Sequence, residues 1–237
     1  MTISRADTVI VVGFLILVQG TGALAGFWLP AIAPEVGQSL GLSPSLIAYP
    51  VLILYIFAMI SSLMAGGIVR RFGAWRSSQA ALILIGVSHL MFMNGSLLFL
   101  ALGSIILGGA YGLLTPPASH LLSKIVTPKN RNLIFSIRFT GVPLGGILAG
   151  LLAPPVALEY GWRESMIVTI VISLVIAISM QPFRKRWDRD RLKSAKIFGN
   201  PISDICLVWK LSALKWVALS GLCMGAIQTT LTTYTVT

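Results

Sequence analysis

Acidic residues are scarce in this 237-residue chain: seven in all, Asp7, Glu35, Glu159, Glu164, Asp188, Asp190 and Asp204, and none inside a long apolar run. That absence removes paired carboxylates for acid–base catalysis and the buried carboxylates that commonly relay protons across a membrane. Cysteine is nearly absent as well. Cys206 and Cys223 stand seventeen positions apart and give no disulfide or metal framework, and the two histidines, His89 and His120, form no cluster at ligand spacing. No phosphate-cradling loop or nucleotide fingerprint occurs, so neither an enzyme nor a cofactor is expected. Charged residues make up 11% of the chain against 56% hydrophobic, with a mean hydropathy of +0.88. Such a chain has too little polar surface to cover a soluble domain.

What it has instead is a series of apolar runs of roughly 17–26 residues, each long enough to cross a hydrocarbon core of ~30 Å at ~1.5 Å per residue. Seven crossings are expected, near 8–29, 46–69, 77–93, 97–122, 132–154, 165–181 and 214–235. The first run, with Arg5 and Ala23-Leu24-Ala25, has features of a signal peptide. Its continuation through Phe27, Trp28 and Leu29 favours an uncleaved span with an aromatic end at the interface.

The cations test this list, because a misplaced span would put every later basic residue on the wrong side. Sixteen of the 18 Lys and Arg fall on one side: Arg5; Arg70, Arg71 and Arg76; Lys124, Lys129 and Arg131; and nine from Arg184 to Lys215. Arg163 lies on the other side, and Arg138 is left inside a span. The pattern predicts an integral protein of a bacterial-type inner membrane with a cytoplasmic N-terminus. It also reassigns the net charge of +11 from nucleic-acid binding, which is not expected, to topology.

Connections divide the chain. Asn94-Gly95-Ser96 reads as a tight turn, making the third and fourth spans an antiparallel pair. A long basic stretch follows the sixth span. The expected organisation is a six-span unit over 1–182, a basic cytoplasmic linker over 183–213 and a seventh span over 214–237. Trp187, Leu192, Ile197, Ile202 and Ile205, set among the linker's cations, suit either a segment lying on lipid headgroups or a solvated loop.

An echo appears inside the six-span unit. Phe72-Gly73-Ala74-Trp75-Arg76-Ser77 follows the second span and Tyr160-Gly161-Trp162-Arg163-Glu164-Ser165 follows the fifth, on opposite membrane faces. Each leads into the third member of a three-span group, as in inverted-topology repeats.

At these residues the chain resembles the major facilitator superfamily, whose loop signature between spans two and three is approximately G-x-L-x-D-R-x-G-R-[RK]. Gly66, Arg71, Gly73 and Arg76 match it, whereas Arg70 stands at the acidic position. Gly141-Val142-Pro143-Leu144-Gly145-Gly146 is similar to the second half of the fifth-span signature, and Gly108-Gly109-Ala110-Tyr111-Gly112 with Thr115-Pro116-Pro117 is also similar to this family. The resemblance implies an all-α polytopic membrane bundle, a six-helix half built as a 3+3 inverted repeat plus a seventh span. It implies gating or conformational roles for Gly66, Arg70, Arg71, Gly73, Arg76, Gly141, Pro143, Gly145 and Gly146. Because the family's loop acid takes part in charge contacts that hold one gating state, Arg70 would make such a contact repulsive.

The implied function is secondary active transport of a small organic solute by rocker-switch alternating access. Family members have two six-span halves and this chain stops in the first span of the second, so the expectation is a truncated N-terminal half, completed by a missing C-terminal half or a second copy. The alternative is a non-transporting membrane-embedded fragment or a subunit binding a partner through the glycine-rich face of span five.

Arg138 is the leading site candidate. A cation inside a span costs at least ~2.5–3.5 kcal/mol, so it faces a cavity or a partner unless it snorkels to the headgroups. At ~100° per residue it shares a helix face with Gly145 and Gly141, a side expected to meet the second half. Its charge favours an anion among small organic solutes, or else a place in an inner gate. Gln19, Tyr55, Tyr111 and Thr115 are further substrate-binding candidates, on spans that line the family's central cavity. His89 reads as structural, His120 as an interfacial residue, and Pro116, Pro117 and Pro143 as helix-bending positions.

Overall fold

The computed structural model of the chain describes residues 4–41, 46, 48–197, 206 and 208–234, and among them no strand occurs. Eleven α-helices are formed within these stretches: α1 Arg5–Ala31, α2 Ala33–Leu40, α3 Ala48–Phe72, α4 Ala74–Met93, α5 Leu97–Gly112, α6 Thr115–Ile125, α7 Arg131–Phe139, α8 Gly141–Tyr160, α9 Trp162–Ser179, α10 Arg184–Trp187 and α11 Ser212–Tyr234. Ile202, Asp204, Ile205 and the expected end of the seventh span lie outside the described residues. The chain divides into a unit over 1–197 and a second over 198–237, which contains α11.

Five helical stretches are long and apolar enough to cross a membrane: Ala6–Ala31, Ala48–Phe72, Leu97–Ile125, Arg131–Tyr160 and Trp162–Trp187. The expected third span is α4, 20 residues long but less apolar. Its Ser77, Ser78, Gln79, Ser88 and His89 are buried, and the hydroxyls of Ser77 and Ser78 return to the carbonyls of Gly73 and Ala74. Polar groups satisfied within the bundle in this way need no water.

Two expected spans are not single helices. The fourth breaks between α5 and α6, where Pro116 and Pro117 lack the N–H groups that would continue the ladder. Leu113 and Leu114 bridge the gap by tighter bonds to the carbonyls of Ala110 and Tyr111. The fifth breaks at Thr140, and Pro143 falls in the first turn of the helix that follows, a position where a missing N–H costs nothing. The connection after α1 also differs from a plain loop, since it folds into α2 and ends at Gly41 in the left-handed region.

Apart from α4 with α5, which the Asn94–Ser96 turn joins, the main packing partners are α3 with α5, α1 with α8, and α4 with α9. Exchanging the first three spans for the last three maps the first pair onto the second and the third onto itself, which is the contact pattern of an inverted repeat. Glycine spacing follows the same symmetry. A methyl group at Gly108 or Gly112 would overlap the carbonyls of Leu54 or Ala58 on α3, and one at Gly141 or Gly145 would meet those of Ile16 or Gly20 on α1. Small residues four apart thus let both helix pairs approach at backbone distance.

The sequence echo is a backbone echo. Gly73 (φ 99°, ψ 151°) and Gly161 (φ 97°, ψ 149°) turn the chain into α4 and α9 with nearly the same dihedrals, in a region disfavoured for residues with a Cβ. In each case the serine four residues on is buried and donates its N–H to the glycine carbonyl at 3.1 Å.

The ends of the unit are chemically distinct. At one end, Arg186 pairs with Asp7, Leu192 N–H donates to the Arg70 carbonyl at 2.8 Å, and Lys124 pairs with Asp190 at 2.7 Å. This basic end gathers four of the expected inner segments. At the other, the Arg163 guanidinium packs over the Gly95 turn.

Candidate functional site

Arg138 occupies the last turn of α7, immediately before the Thr140 break, and is fully buried. Its Nη2 donates to Gln19 Oε1 at 2.6 Å and, over longer distances, to the Leu114 carbonyl at 3.4 Å and Thr115 Oγ1 at 3.5 Å. The arginine therefore joins α1 to both helix breaks. The Phe139 ring lies 4.8 Å from its guanidinium carbon.

Two guanidinium nitrogens, Nε and Nη1, are buried without a hydrogen-bond partner among the described residues. An arginine has five N–H donors in a fixed fork suited to two carboxylate oxygens, and here only one edge is used. Leaving such donors unpaired away from water is costly. Burial also decides against snorkelling, since the side chain turns inward to Gln19 rather than toward the headgroups. Thr115 and Phe139, which both touch the guanidinium, are exposed, so the charge sits one side-chain layer beneath the surface of the unit.

Of the other expected binding residues, Gln19 and Thr115 are brought to Arg138. Tyr55 and Tyr111 form an edge-to-face pair with centroids 6.1 Å apart, and the Tyr111 ring fills the space beside Gly26. His89 is buried, with Nδ1 3.0 Å from the Ile85 carbonyl, its ring against Phe92, and Nε2 without a hydrogen-bond partner among the described residues.

The glycine face of span five is where the expectation needs correcting. Gly141 and Gly145 pack on α1 within the unit, and Gly146 lies against Phe27. A face already closed by α1 has no room for a second half or a separate partner. Arg138 shares that face, and this is why it meets Gln19. Pro143 is exposed at the start of α8.

In the loop after α3, Gly73 provides the positive-φ joint and Arg76 begins α4. The close approach next to Gly66 is made by Gly67, whose added methyl would overlap the Ile197 carbonyl, while nothing lies within 4 Å of Gly66. Arg70 and Arg71 are exposed; the Arg70 carbonyl accepts from Leu192, and Arg71 lies over the Phe72 ring at 5.7 Å.

Sequence reasoning missed Asp188. It is buried and accepts the N–H groups of Trp75 at 2.8 Å and Arg76 at 3.1 Å, capping a helix whose own N-cap, Gly73, has no side chain. Burial pushes this carboxyl up to about 6, with the Trp75 N–H and Lys124 pulling the other way. Asp190 goes the opposite way. Partial burial works against its charge, but the Lys124 and His120 side chains, each 2.7 Å away, overcome that and hold it below the usual carboxylate range. His120 is thus tied to an acid rather than only solvated. The available signal was two acids, Asp188 and Asp190, set in a run of cations.

Comparison with known proteins follows the same architecture. The chain is 26% identical over 89 residues to a hexuronate transporter of Bacillus subtilis (strain 168), covering 36% of this chain and 21% of that protein. It is 28% identical over 160 residues to a gallate transporter of Pseudomonas putida, covering 65% of this chain and 34% of that one. Among solved structures, a peptide transporter POT in complex with sulfate matches with a TM-score of 0.64 at 18% identity, over 93% of this chain and 46% of that one. The same transporter's E310Q mutant in complex with alafosfalin matches with a TM-score of 0.62 at 21% identity, over 93% and 45%. The chain spans a third or less of the curated relatives' lengths and about half of the solved ones. With glycine-packed helix pairs arranged as an inverted repeat, and a sequence model of the Major Facilitator Superfamily matching residues 13–237, this chain belongs to that superfamily.

Proposed function

We propose that the chain forms the N-terminal half of a secondary transporter for a small organic anion, and that Arg138 binds the carboxylate of its cargo. One observation carries this reading: a buried guanidinium with two nitrogens unpaired among the described residues, in a bundle whose spans carry acids only at their ends, Asp7, Glu159 and Glu164. The curated relatives are named for hexuronate and gallate, and both solutes are carboxylates. Gln19 orients the guanidinium from behind, and Thr115 lies on the exposed side from which a solute would approach. In the complete transporter the two halves rock about this depth of the bilayer. The sixteen cations on one side support a bacterial-type inner membrane with the basic end in the cytoplasm.

Equilibrium dialysis of labelled gallate and glucuronate against the detergent-solubilised chain tests the reading. Binding of either acid, weakened about tenfold or more in Arg138→Gln and absent for pyrogallol and glucose, supports it. Equal binding by Arg138→Gln, or equal binding of the uncharged analogues, overturns it.

A further inference from the structure

A groove of 510 Å³ runs between α4 and α9 at the basic end, away from Arg138. Arg76 and Arg184 stand at its mouth, Gln79 and Gln181 come next, and Ile83, Leu174 and Ile178 form its walls. The order along the helices matters. Ile83 is seven residues beyond Arg76, or ~10 Å deeper along α4; on α9, Ile178 lies level with Gln79, whose amide bonds the Ala177 carbonyl, and Leu174 lies one turn deeper. The groove is cationic at the membrane surface and apolar below it.

Its polar groups are not equally available. Gln79 Nε2 is committed to the Ala177 carbonyl at 2.8 Å and Gln181 Oε1 at 2.9 Å, which fixes the floor. Arg76 Nε is buried with no hydrogen-bond acceptor among the described residues and lies 3.8 Å from Asp188 Oδ2, whose carboxylate is already held by two backbone N–H groups. Arg184 makes no ion pair among the described residues. Leu174 is 40% exposed, Ile83 48% and Ile178 71%, on spans whose other faces pack in the bundle. An aqueous anion would use the arginines and leave these walls bare. A phospholipid uses both.

We propose that this groove binds an anionic phospholipid, its phosphate between Arg76 and Arg184 and one acyl chain along Ile83, Leu174 and Ile178. Basic pockets between spans at the inner surface suit such headgroups. Because α4 and α9 are the pair that the inverted repeat maps onto itself, the lipid would staple the first three spans to the last three. The inference stands on membrane insertion and not on the role of Arg138.

Native mass spectrometry of the full chain, titrated with phosphatidylglycerol or phosphatidylcholine, tests it. The expected result is retention of phosphatidylglycerol over phosphatidylcholine, reduced about fivefold in Arg184→Gln and abolished in Arg76→Gln/Arg184→Gln. The single variant leaves the contact between Arg76 and Asp188 intact, so a folding defect in the double variant does not decide the matter. A photoreactive phosphatidylglycerol should cross-link to peptides containing Ile83 or Ile178. Undiminished preference in Arg184→Gln, or cross-links confined to other helices, overturns the proposal. So does displacement of the lipid by millimolar inorganic phosphate, which would mark a soluble-anion site.

Discussion

Asp188 accepts the backbone N–H of Trp75 at 2.8 Å across 113 residues of chain. The carboxylate that caps α4 thus comes from the segment after α9, distant in sequence but adjacent in space, and an added side chain at Gly73 would overlap Asp188. Arg70, in the last turn of α3, stands where the family's pattern has an acid. At the start of α4, negative charge is supplied by Asp188 instead.

This cap should make stability depend on pH. The folded carboxyl titrates near 6, above the ~3.9 of an unperturbed aspartate, so between those values the folded protein holds the extra proton. Its contribution is therefore greatest below about pH 4 and is lost as pH rises through about 6. The apparent Tm of the solubilised wild type, followed by tryptophan fluorescence, should fall between pH 4 and 7 relative to Asp188→Asn. Parallel profiles would refute the assignment. At any pH, Asp188→Ala should cost about 0.5–2 kcal/mol as a lost cap.

Two glycines on α8 should respond in opposite ways. A methyl group at Gly145 would overlap the Gly20 carbonyl, whereas one at Gly150 would meet nothing within 4 Å. Gly145→Ala should cost about 1–3 kcal/mol through overpacking and lower the yield of monodisperse protein. Gly150→Ala should be neutral or gain up to about 1 kcal/mol in helix propensity. Equal Tm values for the two variants would contradict the close approach of α1 and α8.

The spans and the basic side were legible in the sequence because hydropathy and cation placement act over whole segments. Arg138 was legible because a cation in a span is conspicuous, whereas Gln19 and Thr115 stood among the candidates only through the family resemblance, beside Tyr55 and Tyr111, which meet each other and not Arg138 in the hydrogen bonds described. Less legible was what the glycine face of α8 meets. Spacing shows that Gly141 and Gly145 share a side, but nothing in their own helix says that α1 is the neighbour. Asp188 was hidden for a similar reason: its partners are backbone N–H groups, which carry no residue signature.

Gln19 provides a third test. Its Oε1 is the one short acceptor of Arg138, so Gln19→Leu leaves a third guanidinium nitrogen without a good partner. Losing a bond to a charged group should cost about 1.5–3 kcal/mol. If the guanidinium binds carboxylates, millimolar gallate should restore part of the lost Tm, and pyrogallol should not. No difference between the two additives would detach Gln19 from a binding role.

Trp187 and Asp7 both hold the segment after α9, by interactions of different size. Trp187 is buried and stacks on Trp75 at 6.3 Å with an 18° interplanar angle, and Asp7 pairs with the 44% exposed Arg186. Truncating a buried tryptophan costs about 3–5 kcal/mol, whereas a partly solvated ion pair is worth about 0–1 kcal/mol. Trp187→Ala should therefore free the backbone around the exposed Arg189, Lys193 and Lys196 and the half-buried Arg191, speeding trypsin cleavage there tenfold or more when opening is in equilibrium. Asp7→Asn should change the rate by less than about fivefold. If the two variants are cut at the same rate, charge rather than aromatic stacking holds the segment against the bundle.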